Sequence, residues 1–522
     1  MKLKYLAGTA AALSMLASAP AQAERAPSRH LRCDGMPDNV TAGETAARVL
    51  GAVTLLGLFA PRQEGADESA RLSGAEGIAI CNEALAAESN DVRRAELILA
   101  TAIHHMEAQQ YEQAIAAAQR VMTDRPAFAA SPAFHRSLYP FALDIEAAAL
   151  LQLGRTDEAV AKGLEMAAAA RYDVINQLRA GSYVGYATHW GPAETRYFDN
   201  LARLYPDSLL TRGVNREMNG DVAGALADYD LYIRLHDDQL GGVPPALRTR
   251  VALSHALSGH AERAAELIRQ ASAPPPAVAA KGGNAQPQAA AAASASPPQA
   301  EASPPVEPSA AEVELNDLYR VWEAVTAGDL DRARMLYLAR SRWVYVDVAL
   351  RSRLIGRLRE GARPEQLTGA LAQSPEQIVA AYRADQRAGA FGGKGPGTFL
   401  FGRRPPYFSA EEFGRFSRDT WRTNGSRIVD FPLNDDGQYR TYSSTRVGGG
   451  TPAGYALLLH AALLARSQGR NAFTLFPTRG SIAQLSVRFG NRGEAGMVDP
   501  LLFDTDQVIA DLTPVIPQPV EH

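Results

Sequence analysis

Lysine is nearly missing from this chain. Of its 53 basic residues only five are lysine (Lys2, Lys4, Lys162, Lys281 and Lys394), and the rest are arginine. Against 57 acidic residues the formal charge is −4. That balance supplies no general basic field, which excludes a protein that coats nucleic acid or anionic lipid. Cysteine occurs twice in 522 residues. Two thiols cannot build a disulfide-dense scaffold or a four-thiolate metal site. The chain has no HExxH, no CxxC and no GxSxG, so neither a zinc-protease helix nor a serine-hydrolase elbow is legible. Gly392-Gly393-Lys394-Gly395 approaches a phosphate loop but fails it, because Ala388 stands where the first glycine is needed and Gly395 where Ser or Thr is needed. No catalytic, cofactor or metal site is assigned.

The N-terminus carries an address. Lys2 and Lys4 precede a small, apolar stretch over 5–19, and Ala21-Gln22-Ala23 fits small-x-small cleavage. Residues 1–23 read as a secretory signal peptide, since the apolar run is short of the ~20 residues a span requires. A second apolar run, Val49 to Ala60, is also too short and suits a buried helix. The expected location is the periplasm, with no stable membrane span after cleavage. There Cys33 and Cys81 meet an oxidising compartment, which favours a disulfide between them over two buried thiols.

A phrase then recurs along the chain. It reads Gln109-Gln-Tyr-Glu-Gln-Ala114, Gly154-Arg-Thr-Asp-Glu-Ala159, Gly220-Asp-Val-Ala-Gly-Ala225, Gly259-His-Ala-Glu-Arg-Ala264 and Gly328-Asp-Leu-Asp-Arg-Ala333. Twelve residues before each closing alanine sits Ala102, Ala147, Gly213, Ala252 or Val321. Two antiparallel helices that cross closely need small residues at the crossing. The turn between them needs a residue that tolerates left-handed backbone. One such hairpin cannot bury its apolar face alone, so hairpins stack.

In this spacing the chain resembles the tetratricopeptide repeat (TPR) family. The resemblance implies a small residue at repeat position 8, a turn near 15, alanine at 20 and often proline at 32. Residues 95–128 match best and close with Pro126. The position-20 alanines are spaced 45, 66, 39 and 69 residues apart, against a family period of ~34, so the array is irregular. The 66-residue interval has room for a degenerate hairpin around 172–205. Some TPR modules grip a partner's carboxylates through Lys or Arg at position 5 and Asn at position 9. Here those positions read Leu99 and Ile103, Asp144 and Ala148, Leu210 and Val214, Thr249 and Leu253, and Leu318 and Trp322. The resemblance therefore implies an apolar inner face, with Leu99, Ile103, Leu210 and Val214 as a candidate groove. Such a face suits an amphipathic helix of a partner or another part of this same chain.

The expected organisation is a signal peptide over 1–23, an N-terminal helical segment over 24–74 and TPR-like repeats over 75–272. An Ala/Pro-rich linker follows over 273–312, then further hairpins over 313–390 and a small α+β domain over 405–522. Ser374 and Gln377 form a capping box with Pro375 at the first helical position. The Gly-rich stretch 389–402 reads as a break. Strand-like runs at 427–431, 438–447, 473–476 and 482–489 flank a helix from Thr451 to about Gln468, and Val508 to Ile516 reads as a last strand. The turn before that helix gathers Arg446, Gly450, Thr451 and Gly454. It can hold an anion on backbone N–H groups, or can simply be a Thr-Pro helix start. His104 and His105 point about 100° apart on a helix, so their place in a TPR-like hairpin reads as packing rather than metal binding.

The fold class expected is therefore mainly α, a TPR-like α-solenoid of helical hairpins followed by a small α+β domain. The function expected is a non-enzymatic periplasmic scaffold with protein partners. The alternative is a small-molecule or glycan binder with its site in the C-terminal domain.

Overall fold

A computed structural model describes residues 27–37, 66–240, 242–272, 309–340, 342–344, 346–393, 395–405, 407, 409, 411, 428–432, 439–444, 450–477 and 484–516. Residues 1–23 and the apolar run 49–60 lie outside the described residues, as does 273–308 of the expected linker. Within the described residues the chain is mainly helical, with one small antiparallel sheet. None of those helices is long and apolar enough to cross a membrane.

Each repeated phrase folds as the turn of a helical hairpin. The helices are α1 (Arg29–Asp34), α2 (Gly74–Ala87), α3 (Asp91–Glu107), α4 (Tyr111–Asp124), α5 (Leu138–Gln152) and α6 (Thr156–Ala169). They continue as α7 (Val174–Val184), α8 (Pro192–Leu204), α9 (Ser208–Met218), α10 (Val222–Leu240), α11 (Pro245–Leu257) and α12 (Ala261–Ser272). After residues 273–308 come α13 (Ala310–Thr326), α14 (Leu330–Leu338), α15 (Val348–Arg359) and α16 (Pro375–Gly389). The five phrases join α3 to α4, α5 to α6, α9 to α10, α11 to α12 and α13 to α14. Gly154, Gly220, Gly259 and Gly328 have φ of 75°, 86°, 84° and 75°. At the one phrase that lacks glycine, Gln109 adopts the same left-handed backbone with φ 58°. Ala102, Ala147, Ala252 and Val321 are fully buried, and the alanines at 114, 159, 225, 264 and 333 are at most 1% exposed. Gly213 is the tightest crossing, because a Cβ there would lie 2.4 Å from the Tyr229 ring.

The contacts divide the chain into two units. One comprises the residues up to Ala130 with Gly395–Arg404, and the other comprises Ser131–Lys394 with Pro405–His522. The stretch expected to break the chain near 389–402 holds a short helix, α17 (Pro396–Phe401), which packs on α3 in the first unit. Six residues between glycines leave no apolar period to detect, so the sequence reads as a gap.

In the larger unit the hairpins continue across residues 273–308. α11 packs on α13, Leu253 joins the core of Leu315, Leu318 and Val321, and Trp322 packs against the core of Ala252 and Tyr229. α13 starts at Ala310 under a reciprocal cap between Ser309 and Glu312, slightly before the expected boundary. The Ser374–Gln377 box also forms as its residues dictate.

The C-terminal sheet has strands β1 (Ile428–Pro432), β2 (Tyr439–Ser444), β3 (Ala472–Phe476), β4 (Gln484–Gly490) and β5 (Leu502–Asp504). Their order is β1-β2-β4-β3-β5, every pair antiparallel. A long helix, α18 (Gly450–Ser467), and a short one, α19 (Thr505–Leu512), accompany it. The run from Val508 is thus a helix rather than the expected strand. Asp504 caps it by accepting from Gln507 N, and Val508, Ile509 and Leu512 recur at helical spacing on the core side. This sheet is not a free-standing domain. Phe473, Leu475, Val487 and Phe503 share a core with α18, α19, Tyr172 and Leu204, while Phe476 and Leu501 pack with Ala202, Leu209, Leu231 and Leu235.

Candidate functional site

The smaller unit is organised around a disulfide. Cys33 on α1 and Cys81 on α2 are bonded and fully buried. Beside them lies His104 of α3, and its ring sits over Gly77, where a Cβ would come within 2.4 Å of Nδ1. His104 Nε2 is 2.7 Å from the Cys33 carbonyl oxygen, and Nδ1 is 2.8 Å from a Glu107 carboxylate oxygen. Cys33, Cys81 and His104 place possible ligand atoms within 4.8 Å of one another. Both sulfurs, however, are spent in the S–S bond, so the set offers no thiolate to a metal. His105 diverges as expected and meets Gln110 Oε1 at 2.7 Å.

Two carboxylates flank the disulfide. Glu107 accepts from Arg71 Nη2 at 2.7 Å and from Gly74 N at 3.0 Å. Burial pushes its pKa up, but the hydrogen bonds from His104, Arg71 and Gly74 outweigh that and hold it at about 2. Asp34 is fully buried and accepts from Arg93 Nη1 and Nη2 at 2.6 and 2.8 Å, and from Arg404 Nη1 at 2.8 Å. Burial opposes ionisation here too, yet the two guanidiniums hold this carboxyl below the usual range.

Of the expected groove residues, Leu99 and Ile103 are covered by this chain itself, and Leu210 and Val214 only in part. Leu99 and Ile103 are each 1% exposed. Leu210 and Val214 are partly buried against the core of Tyr229, Ala252 and Leu267, to which Trp322 also contributes.

Next to that core lies a polar hub that no motif announces. Glu217 at the end of α9 is buried and accepts from Arg250 Nη2 at 2.7 Å, Arg353 Nη1 at 2.6 Å, Ser254 Oγ at 2.9 Å and Tyr229 Oη at 2.9 Å. Arg250 also donates to Asp347 and lies 4.2 Å over the Tyr229 ring. Burial raises the Glu217 pKa, but the charges of Arg250 and Arg353 reverse it and hold the carboxyl at about 2. Four donors fill the lone-pair sites of one carboxylate. Glu217 therefore has no free lone-pair site for a substrate, and the hub is a fastening rather than a reactive centre. It joins α9, α10 and α11 to α15, on opposite sides of residues 273–308.

Of the candidate anion-binding turn, Arg446 lies outside the described residues. Gly450 and Thr451 form the first turn of α18, and Gly454 follows on the same helix with open space at its Cα. Comparison with family models, curated proteins and solved structures finds no match. The functional reading therefore rests on the chain's own geometry.

Proposed function

We propose that this chain is an extracytoplasmic adaptor of the bacterial cell envelope, an irregular TPR-like α-solenoid that binds protein partners. The single observation that supports it most is the recurrence of one hairpin. Five turns share left-handed backbone, and five crossings share buried small residues or Val321, on both sides of residues 273–308. Stacked hairpins present long surfaces suited to protein partners. The disulfide and the leader-like residues 1–23 support a place outside the cytoplasm. The buried carboxylates described above are saturated with donors, which favours fastening over catalysis.

Among the described residues, the most exposed large apolar side chains are Val313 and Met335 of the hairpin α13–α14 and Val344 in the segment after it, at 44%, 63% and 56%. Exposed apolar groups in one small region suit a protein contact. A photo-crosslinking amino acid placed at each of the three in living cells tests the reading, with Glu262 as a polar control. The expected result is one protein adduct shared by the apolar positions, whose purified partner then binds the purified chain with micromolar affinity or better. No adduct, or no binding by the purified partner, overturns it.

A further inference from the structure

The smaller unit already holds a short peptide-like segment, its own residues 395–404. Gly397 presses on α3 so closely that a Cβ would lie 2.2 Å from Glu107 Cγ and 3.1 Å from the Glu107 backbone nitrogen. Leu400 is fully buried. The Phe401 ring lies under the Arg71 guanidinium at 4.1 Å and under Arg404 at 5.4 Å. Arg404 then reaches the buried carboxylate of Asp34 at 2.8 Å. Gly397, Leu400 and Phe401 fall at i, i+3 and i+4, the spacing by which a short helix presents one face to a groove, and Arg404 follows three residues past the end of α17.

The receiving surface also has fastenings that do not come from this segment. Asp34 is fixed by the neighbouring Cys33–Cys81 bond, by both Nη atoms of Arg93 and by the Met36 N–H. Glu107 is fixed by Arg71, His104 and Gly74. A preorganised surface of this kind loses little freedom when it binds. The segment opens at Gly395 and follows Gly392 and Gly393, all three with positive φ, of 77°, 61° and 71°.

We propose that the surface formed by α1, α2 and α3 is a recognition site for a short helical peptide. The peptide carries glycine, a leucine-phenylalanine pair three and four residues on, and arginine seven residues on. Residues 395–404 occupy the site in cis, and a partner protein bearing the same pattern takes their place. The inference rests on the adaptor reading and adds the chemistry of a partner. A tethered occupant acts at an effective concentration in the millimolar range, so a partner competes only when its segment binds more tightly or is supplied in excess.

The test uses the full-length oxidised protein and a fluorescent synthetic peptide of residues 395–404, read by anisotropy. In the wild-type chain the site is occupied, and little peptide binds. Gly397→Val drives a side chain into Glu107 and expels the tethered segment, so the peptide should bind at least tenfold more tightly than to wild type. A peptide with alanine at its arginine position should lose at least tenfold on that same variant. Leu400→Ala with Arg404→Ala weakens the tethered segment without adding bulk and gives the same reading if Gly397→Val misfolds. If peptide binding to a folded, segment-released chain is no better than to wild type, or is indifferent to the peptide's arginine, the segment is only part of the fold and the proposal falls. The crosslinking test above probes a hairpin of the larger unit, so either reading can fail alone.

Discussion

The two units close long stretches of chain by different means. In the smaller one a disulfide joins residues 48 apart in sequence and sets Asp34 in place for Arg93 and Arg404. In the larger one no disulfide joins the two sides of residues 273–308. There Glu217 holds Arg250 from one side and Arg353 from the other, beside the apolar packing of α11 on α13. The first fastening answers to redox potential and the second to charge. What the contrast teaches is that one chain can carry two kinds of long-range closure, each vulnerable to a different insult.

The most damaging way to break the contrast is Glu217→Ala. It leaves Arg250 and Arg353 buried without their shared carboxylate, and removing one partner of a buried pair costs about 3–5 kcal/mol. Hydrogen exchange should speed up across α11 and α15 and stay unchanged across α1 to α3. Unchanged exchange in α15 would show that apolar packing alone joins the hairpins across the linker.

Next in size is loss of the disulfide, by Cys33→Ser with Cys81→Ser. The chain-entropy model gives about 4 kcal/mol for a loop of this length. Here α1 and α2 should exchange faster while the Glu217 hub keeps its protection. Equal losses in both places would mean that the two closures are not separable.

Acid sharpens the same comparison. Glu107 and Glu217 both have pKa values lowered from 4.5 to about 2. A depressed carboxyl contributes stability that is present above the unfolded value and is lost as pH falls through the folded one. Each group should therefore give up on the order of 3 kcal/mol between about pH 4.5 and pH 2. In the oxidised protein the smaller unit loses Glu107 but keeps its covalent closure, whereas the larger unit has no covalent closure beside its hub. Exchange around Arg250 and Arg353 should rise at the same pH with or without reductant. Exchange in α1 should rise at that pH only when reductant is present.

What was legible in the sequence follows the range of the interaction. Each hairpin is set within about twenty residues by a turn and two small crossing positions, so Gly154 and Ala159, or Gly328 and Ala333, could be read directly. Gln109 shows that the turn geometry outlasts the residue type that favours it. At the last helix Val508, Ile509 and Ile516 favour a strand, while the decisive residue is the cap, Asp504. Glu217 was invisible, because its partners at 250 and 353 are far away in sequence. In a chain whose basic residues are nearly all arginine, one more arginine is no signal. Residues 395–404 were invisible for the opposite reason, being too short and too rich in glycine to show a period.

The smallest test asks whether partial exposure removes the penalty that burial creates. Tyr172 donates to Asp511 where the helices meet the C-terminal sheet, and its ring packs edge-on to Tyr455 at 6.4 Å. Asp511 is 30% exposed, unlike the fully buried side chain of Glu217. In Tyr172→Phe the aromatic contact survives and water can take the place of the lost hydroxyl at the carboxylate. The cost should be about 1 kcal/mol, the net worth of an ordinary hydrogen bond, seen as a fall of about 2 °C in Tm. A loss as large as that of Glu217→Ala would mean that water does not reach Asp511 once its partner is gone. The seam between repeats and sheet would then be a third closure of the same rank as the other two.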